Sequence, residues 1–238
     1  MRLFALAQIV LTGLLIGTAP AHAAAWDACS AALDNQQPAE ALREANALLK
    51  QEKLPRETTY YANLCLGRAW SMQGELNKAL PPLREAARLA DNAEQRNAAQ
   101  SWLGITLESM GKRDDAETAY QTQLTAAREL GNVSKEANAL NSLANIALSR
   151  KQYDQALSLY TRSLTLQPDE QKKAAVLNNM AALHNAKGDQ GLAVDVFQQA
   201  MAIERKFGNR DNLARLLLNL GDTYRVMRRW PDATKYLD

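Results

Sequence analysis

Five stretches of this chain repeat one another: LGRAWSMQGELNKALPPL (66–83), LGITLESMGKRDDAETAY (103–120), LANIALSRKQYDQALSLY (143–160), MAALHNAKGDQGLAVDVF (180–197) and LGDTYRVMRRWPDATKYL (220–237). Each opens on a large apolar residue followed by a small one, at Gly67, Gly104, Ala144, Ala181 and Gly221. An alanine recurs twelve residues after the small one, at Ala79, Ala116, Ala156, Ala193 and Ala233. A bulky residue follows four further on, at Leu83, Tyr120, Tyr160, Phe197 and Leu237. Three columns held through five registers restrict the fold to a stack of like units.

Those columns predict helix on helix. The small residue of a first helix lets a second helix come close, with the alanine as its counterpart, and the bulky residue fills the seam between neighbouring pairs. Tight turns marked by Gly74, Gly111 and Gly188 separate the two helices. Pro231 opens the last second helix and Pro168 lies just past the end of another. Pro81 and Pro82 fall early in a second helix and predict a slight distortion without a break. Aromatics are only 6% and Val, Ile and Thr runs are nearly absent, so helix is favoured throughout. Each pair leaves an apolar face that only the next pair can cover.

The pattern resembles the tetratricopeptide repeat family over residues 26–238. A degenerate first unit over about residues 26–55 places Cys29 at the small position and Ala41 at the alanine position. Five units follow, the last of them truncated at residue 238. The resemblance implies an all-α fold, a right-handed superhelical solenoid of antiparallel helix pairs. The alanines are spaced 37, 40, 37 and 40 residues apart, against the usual ~34. This is similar to the longer-period subset of the family, whose first helices often carry Asn-Asn-Leu-Ala. Leu177-Asn178-Asn179-Met180-Ala181 and Leu140-Asn141-Ser142-Leu143-Ala144 come close to that run. The extra residues fall between pairs, which predicts longer second helices or longer exits.

Residues 1–23 read as a secretory signal peptide: Arg2, an apolar run from Leu3 to Gly17, then Pro20 and Ala21-His22-Ala23. The apolar run is short of the ~20 residues a spanning helix needs, though an uncleaved anchor is the alternative. The expectation is a mature array over 24–238 in the periplasm or secreted, with no membrane span after cleavage and, by signal and family together, a bacterial host. Net charge is +2 with the cations scattered among acids, which argues against a nucleic-acid partner. In an oxidising compartment Cys29 and Cys65, 36 residues apart, either form a disulfide or remain two buried thiols.

No enzymatic constellation is present. His184 is the one histidine after the leader, and it occupies the column of Trp70, Leu107, Ala147 and Tyr224, so packing explains it. A metal cluster and a phosphate loop are both missing, and no cofactor is expected.

The resemblance places the ligand on the concave face, at the second, fifth, sixth, ninth and twelfth positions of each first helix when the small residue is the eighth. Those positions hold Asn138, Asn141, Ser142, Asn145 and Leu148, then Ala175, Asn178, Asn179, Ala182 and Asn185, then Arg215, Leu218, Asn219, Asp222 and Arg225. Asparagine is a poor helix former, so its clustering by register favours a role in binding. An amide has two donors and an acceptor oxygen, which suits an extended peptide backbone. Solvated amides, or amides bonded to local backbone, are the alternative.

Asn145, Asn179 and Arg215 match the family's carboxylate-clamping groove, but Asn141 and Asn219 stand where Lys and Arg are expected, so backbone recognition fits better. Tyr61, Leu64, Arg68, Ala98, Ser101 and Ile105 make the same face more apolar in the earlier units. The functional expectation is a non-enzymatic scaffold or adaptor for protein or peptide segments. The alternative is the sensor region of a longer signalling protein or enzyme. Trp230, Tyr236 and Leu237, with nothing following them in the given sequence, are the ground for that alternative; if residue 238 is the true terminus, they predict self-association through the C-terminal unit.

Overall fold

The computed structural model describes residues 21–237, with side chains from 27 to 236; residues 1–20 of the expected signal peptide lie outside the described residues. Twelve helices follow in order: α1 (Ala21–Asp34), α2 (Pro38–Leu49), α3 (Arg56–Met72), α4 (Leu76–Leu89), α5 (Ala93–Ser109) and α6 (Arg113–Glu129). The second half comprises α7 (Val133–Ser149), α8 (Tyr153–Leu166), α9 (Glu170–Lys187), α10 (Gln190–Phe207), α11 (Arg210–Val226) and α12 (Trp230–Leu237). Among the described residues there is no strand. The result is an all-α solenoid of six helix pairs.

First helices are started by their sequence. Asn92, Asn132, Asp169 and Asn209 each accept from a backbone N–H in the first turn of α5, α7, α9 and α11. Such caps contribute about 1 kcal/mol each. Second helices lack a side-chain cap and lean on tertiary packing instead. Pro81 and Pro82 lie inside an uninterrupted α4.

Within a pair, the small residue sits directly under the bulky one. A Cβ at Gly67 would overlap the Leu83 side chain, and one at Gly104 would overlap the Tyr120 ring. The bulky residue thus packs on the small residue of its own pair, and Tyr120 also belongs to a core that continues into the next pair with Leu140 and Leu143. The alanine column is fully buried between the same two helices, with Ala79, Ala116, Ala156 and Ala193 all at 0% exposure.

The alternating repeat length has a local cause. The 37-residue spacings follow the 14-residue helices α4 and α8; the 40-residue spacings follow α6 and α10, of 17 and 18 residues. The short helices end on an extended residue, Ala90 or Gln167. The long ones run nearly a turn further and finish at Gly131 or Gly208, both at positive φ.

The first pair reverses the usual sizes. Ala45 occupies the bulky column and Cys29 the small one, and Cys29 is bonded to Cys65 on α3 with a Cα–Cα distance of 6.2 Å. Both sulfurs belong to a small cluster with Ala32, Leu33, Ala41, Ala45, Leu66 and Ala69. A cross-link thus stands where the other pairs have a large side chain.

Candidate functional site: an amide-lined concave wall

Each second helix packs on its own first helix and on the next first helix, while α3, α5, α7 and α9 also touch one another in sequence. First helices therefore form the inner row of the solenoid, and their free faces form its concave wall.

On that wall four asparagines join into one hydrogen-bonded chain. Asn219 Nδ2 donates to Asn178 Oδ1 at 2.9 Å, Asn178 Nδ2 to Asn179 Oδ1 at 3.3 Å, and Asn179 Nδ2 to Asn141 Oδ1 at 3.1 Å. The chain crosses from α11 through α9 to α7. Its two inter-helix links span 41 and 38 residues, one more than the local repeat length. The fifth position of one first helix thus meets the sixth position of the next. All four residues are half-buried. Every link uses one N–H of an amide that carries two, so outward-facing donor capacity remains along the wall.

The other expected site residues are engaged elsewhere. Asn145 Oδ1 accepts from the Tyr160 hydroxyl at 2.5 Å, and Asn138 Oδ1 accepts from Gln167 Nε2 at 3.1 Å. Asn185 Nδ2 donates to Thr223 Oγ1 at 2.8 Å. Arg215 is exposed and reaches back one turn to Asn212 Oδ1 at 2.8 Å. So four of the eight residues form a unit, and the rest bond to other neighbours.

The amino-terminal part of the wall differs from expectation at one residue. Leu64 is 2% exposed and belongs to the core with Tyr60 and Leu103, so it does not face a ligand. Ile105, at 40% exposure, is the accessible apolar residue there. Arg68 lies over the Trp102 ring at 5.3 Å, and burial pulls its guanidinium pKa down against the opposing pull of Asp34. Tyr120 donates to Glu108 Oε2 at 2.7 Å, and burial together with that carboxylate pushes its hydroxyl pKa upward. The Tyr120 hydroxyl therefore stays protonated through the physiological range.

His184 is partly buried, with Nδ1 3.9 Å from Asp189 Oδ2, beyond hydrogen-bond distance. Among the described residues, no three His, Cys, Asp or Glu side chains gather as a metal site, and no helix is long and apolar enough to cross a membrane.

A family model described as Tetratricopeptide repeat matches residues 95–169 and 172–238. The chain belongs to the tetratricopeptide repeat family. The heat-shock protein cognate (HSC) co-chaperone sgt12 of Aspergillus fumigatus is 30% identical over 97 residues, covering 40% of this chain and 28% of that protein. The chain therefore spans just over a quarter of that relative's length.

Two solved structures share the fold. BtubC (BKLC) from P. vanneervenii superimposes with a TM-score of 0.64 at 22% identity, covering 91% of this chain and 87% of the other. Rap protein complexed with Competence and Sporulation Factor gives a TM-score of 0.71 at 12% identity, covering 91% and 74%. The fold is that of protein-binding scaffolds and adaptors.

Proposed function

We propose that this tetratricopeptide repeat protein is a non-enzymatic scaffold of the bacterial cell envelope that holds an extended peptide segment along its concave wall. The observation that carries this reading is the asparagine chain from Asn219 to Asn141, which keeps unused amide N–H groups in a row across three helices. Ile105 supplies an apolar contact on the amino-terminal part of the same wall. Backbone carbonyls of an extended segment are the natural acceptors for such a row. The Rap complex lends support as a like fold bound to a factor.

A photo-crosslinking residue placed at Ala175, in the groove register, should give a discrete adduct in the envelope fraction, whereas one at exposed Thr125 on α6 should not. Equal labelling from both positions, or none from Ala175, defeats the groove reading.

Self-association is a second reading, favoured by Leu218, Val226 and Trp230, which are 54%, 60% and 59% exposed. Trp230→Glu should then make the protein more monodisperse in sedimentation. A wild type that is monomeric at high concentration removes this reading.

A further inference from the structure

The seam between α6 and α8, behind the concave wall, holds a half-open pocket of about 150 Å³. Leu124, Leu140, Leu143 and Leu159 supply its apolar lining, and Arg128 and Arg162 also line it. Arg128 Nε and Arg162 Nη2 both donate to a single oxygen, Glu136 Oε1, at 3.0 and 2.9 Å. Glu136 is 14% exposed, while the two arginine side chains are 46% and 55% exposed. One half-buried carboxylate therefore serves two outlying guanidiniums, leaving a surplus positive charge and most of their ten N–H donors uncommitted.

The opposite end carries the reverse balance. Arg150 bonds to both Asp114 and Glu117 at 2.5 Å, leaving a surplus negative charge. Glu117 and Arg128 are eleven residues apart on α6, so about 16 Å separates the two ends.

Neighbouring seams lack the arginine pair. One repeat earlier, Asp91 and Thr122 stand at the places of Arg128 and Arg162; one repeat later, Pro168 and Gln199 do. The two adjacent seams therefore stack without it, while in the like seam two pairs on, Arg205 stands at the place of Arg128.

We propose that this slot is a second binding site, for a peptide segment carrying one large apolar side chain and, two residues further on, a carboxylate. The volume is enough for one benzene-sized group, seated on the four leucines among polar side chains. Leu124 and Arg128, like Leu159 and Arg162, are one helical turn apart, so apolar and cationic contacts lie roughly 5–6 Å from each other. In an extended chain, residues i and i+2 share a face at about 6.6 Å, whereas adjacent residues face opposite ways. The carboxylate joins Glu136 between the guanidiniums and neutralises the surplus charge. The site is separate from the concave wall and does not depend on the groove reading.

The test uses a labelled, end-blocked pentapeptide of glycine, phenylalanine, serine, glutamate and glycine, with fluorescence anisotropy as readout. Replacing its glutamate by glutamine should weaken binding about tenfold, the size of a lost charge-assisted contact, and replacing its phenylalanine by alanine about as much through lost apolar burial. In the Arg128→Gln/Arg162→Gln protein the preference for glutamate over glutamine should disappear while helicity by circular dichroism is retained. Should that variant lose its helical signal, Arg162→Thr, which borrows the residue of the preceding seam, takes its place. A wild type that binds the two peptides equally, or neither of them at millimolar concentration, overturns the proposal. So does a glutamate preference that survives the arginine substitutions, because the carboxylate then sits elsewhere.

Discussion

The hydroxyl of Tyr160 donates to Asn145 Oδ1 at 2.5 Å, tying the bulky column of α8 to a residue of the concave wall on α7. Tyr160 is fully buried, so this hydroxyl has few alternatives. Asn145→Ala should cost about 1–3 kcal/mol of stability, the penalty for an unpaired buried hydroxyl. Asn141→Ala, which removes only the last acceptor of a half-buried chain, should cost about 0.5–1.5 kcal/mol. Adding Tyr160→Phe to Asn145→Ala should recover part of the loss, because both polar partners are then gone. Urea midpoints of the four proteins check the order.

Two glycines inside helices should respond with opposite signs. Gly104→Ala drives a methyl group into the Tyr120 ring and should destabilise by about 1–3 kcal/mol, as overpacking does. Gly191, in the first turn of α10, has nothing within 4 Å of an added Cβ. There alanine should be neutral or stabilising by at most ~1 kcal/mol, since it restricts the unfolded chain and favours helix. Thermal midpoints of the two single variants should lie on opposite sides of the wild type, or the Gly191 variant should match it.

The link between Cys29 and Cys65 closes a loop of 36 residues and should add roughly 3–4 kcal/mol in the chain-entropy model. A thiol assay on unfolded protein prepared without reductant should find no free sulfhydryl. Reduction should loosen α1 and α2 first, since their cluster is built mainly from alanines and the two cysteines. Hydrogen exchange that accelerates uniformly along the array, instead of in residues 27–49, would contradict that order.

Export is testable at the amino terminus. Cleavage after Ala21-His22-Ala23 predicts a mature chain beginning at Ala24, three residues into α1. Amino-terminal sequencing of protein from the envelope fraction decides it. A chain that retains Met1 in the cytoplasm would remove both the location and the oxidising environment of the disulfide.

The columns of Gly104, Ala116 and Tyr120 make the helix pairs legible in the sequence, because a close helix contact imposes a residue size at fixed spacing. Pro81 and Pro82 were less readable: α4 opens at Leu76, so they are its sixth and seventh residues, past the turn whose donors are unpaired, and each removes a helical bond without breaking the helix. That Leu83 and Tyr120 press on Gly67 and Gly104 of their own pairs was not readable, because spacing does not say which neighbours a bulky side chain touches. The asparagine chain escaped for a related reason. Asn141 and Asn179, like Asn178 and Asn219, occupy different columns, so comparing like positions never sets them side by side. Leu64 was assigned to the concave wall by register alone; two-sided burial between α3 and its neighbours put it in the core. Arg128 and Arg162 are on separate helices and form no motif at all. Only the meeting of both at Glu136 reveals them.

The alternation of short and long second helices means that one helix pair is not the unit that repeats. Ala79, Ala156 and Ala233 are 77 residues apart, as are Ala116 and Ala193. Two pairs together, one leaving on an extended residue and one on a glycine, make the translational period. An array lengthened or shortened by a 77-residue block would keep every junction of a kind it already contains. Removing a single pair would instead set two like exits in succession and rotate everything downstream out of phase with the wall before it.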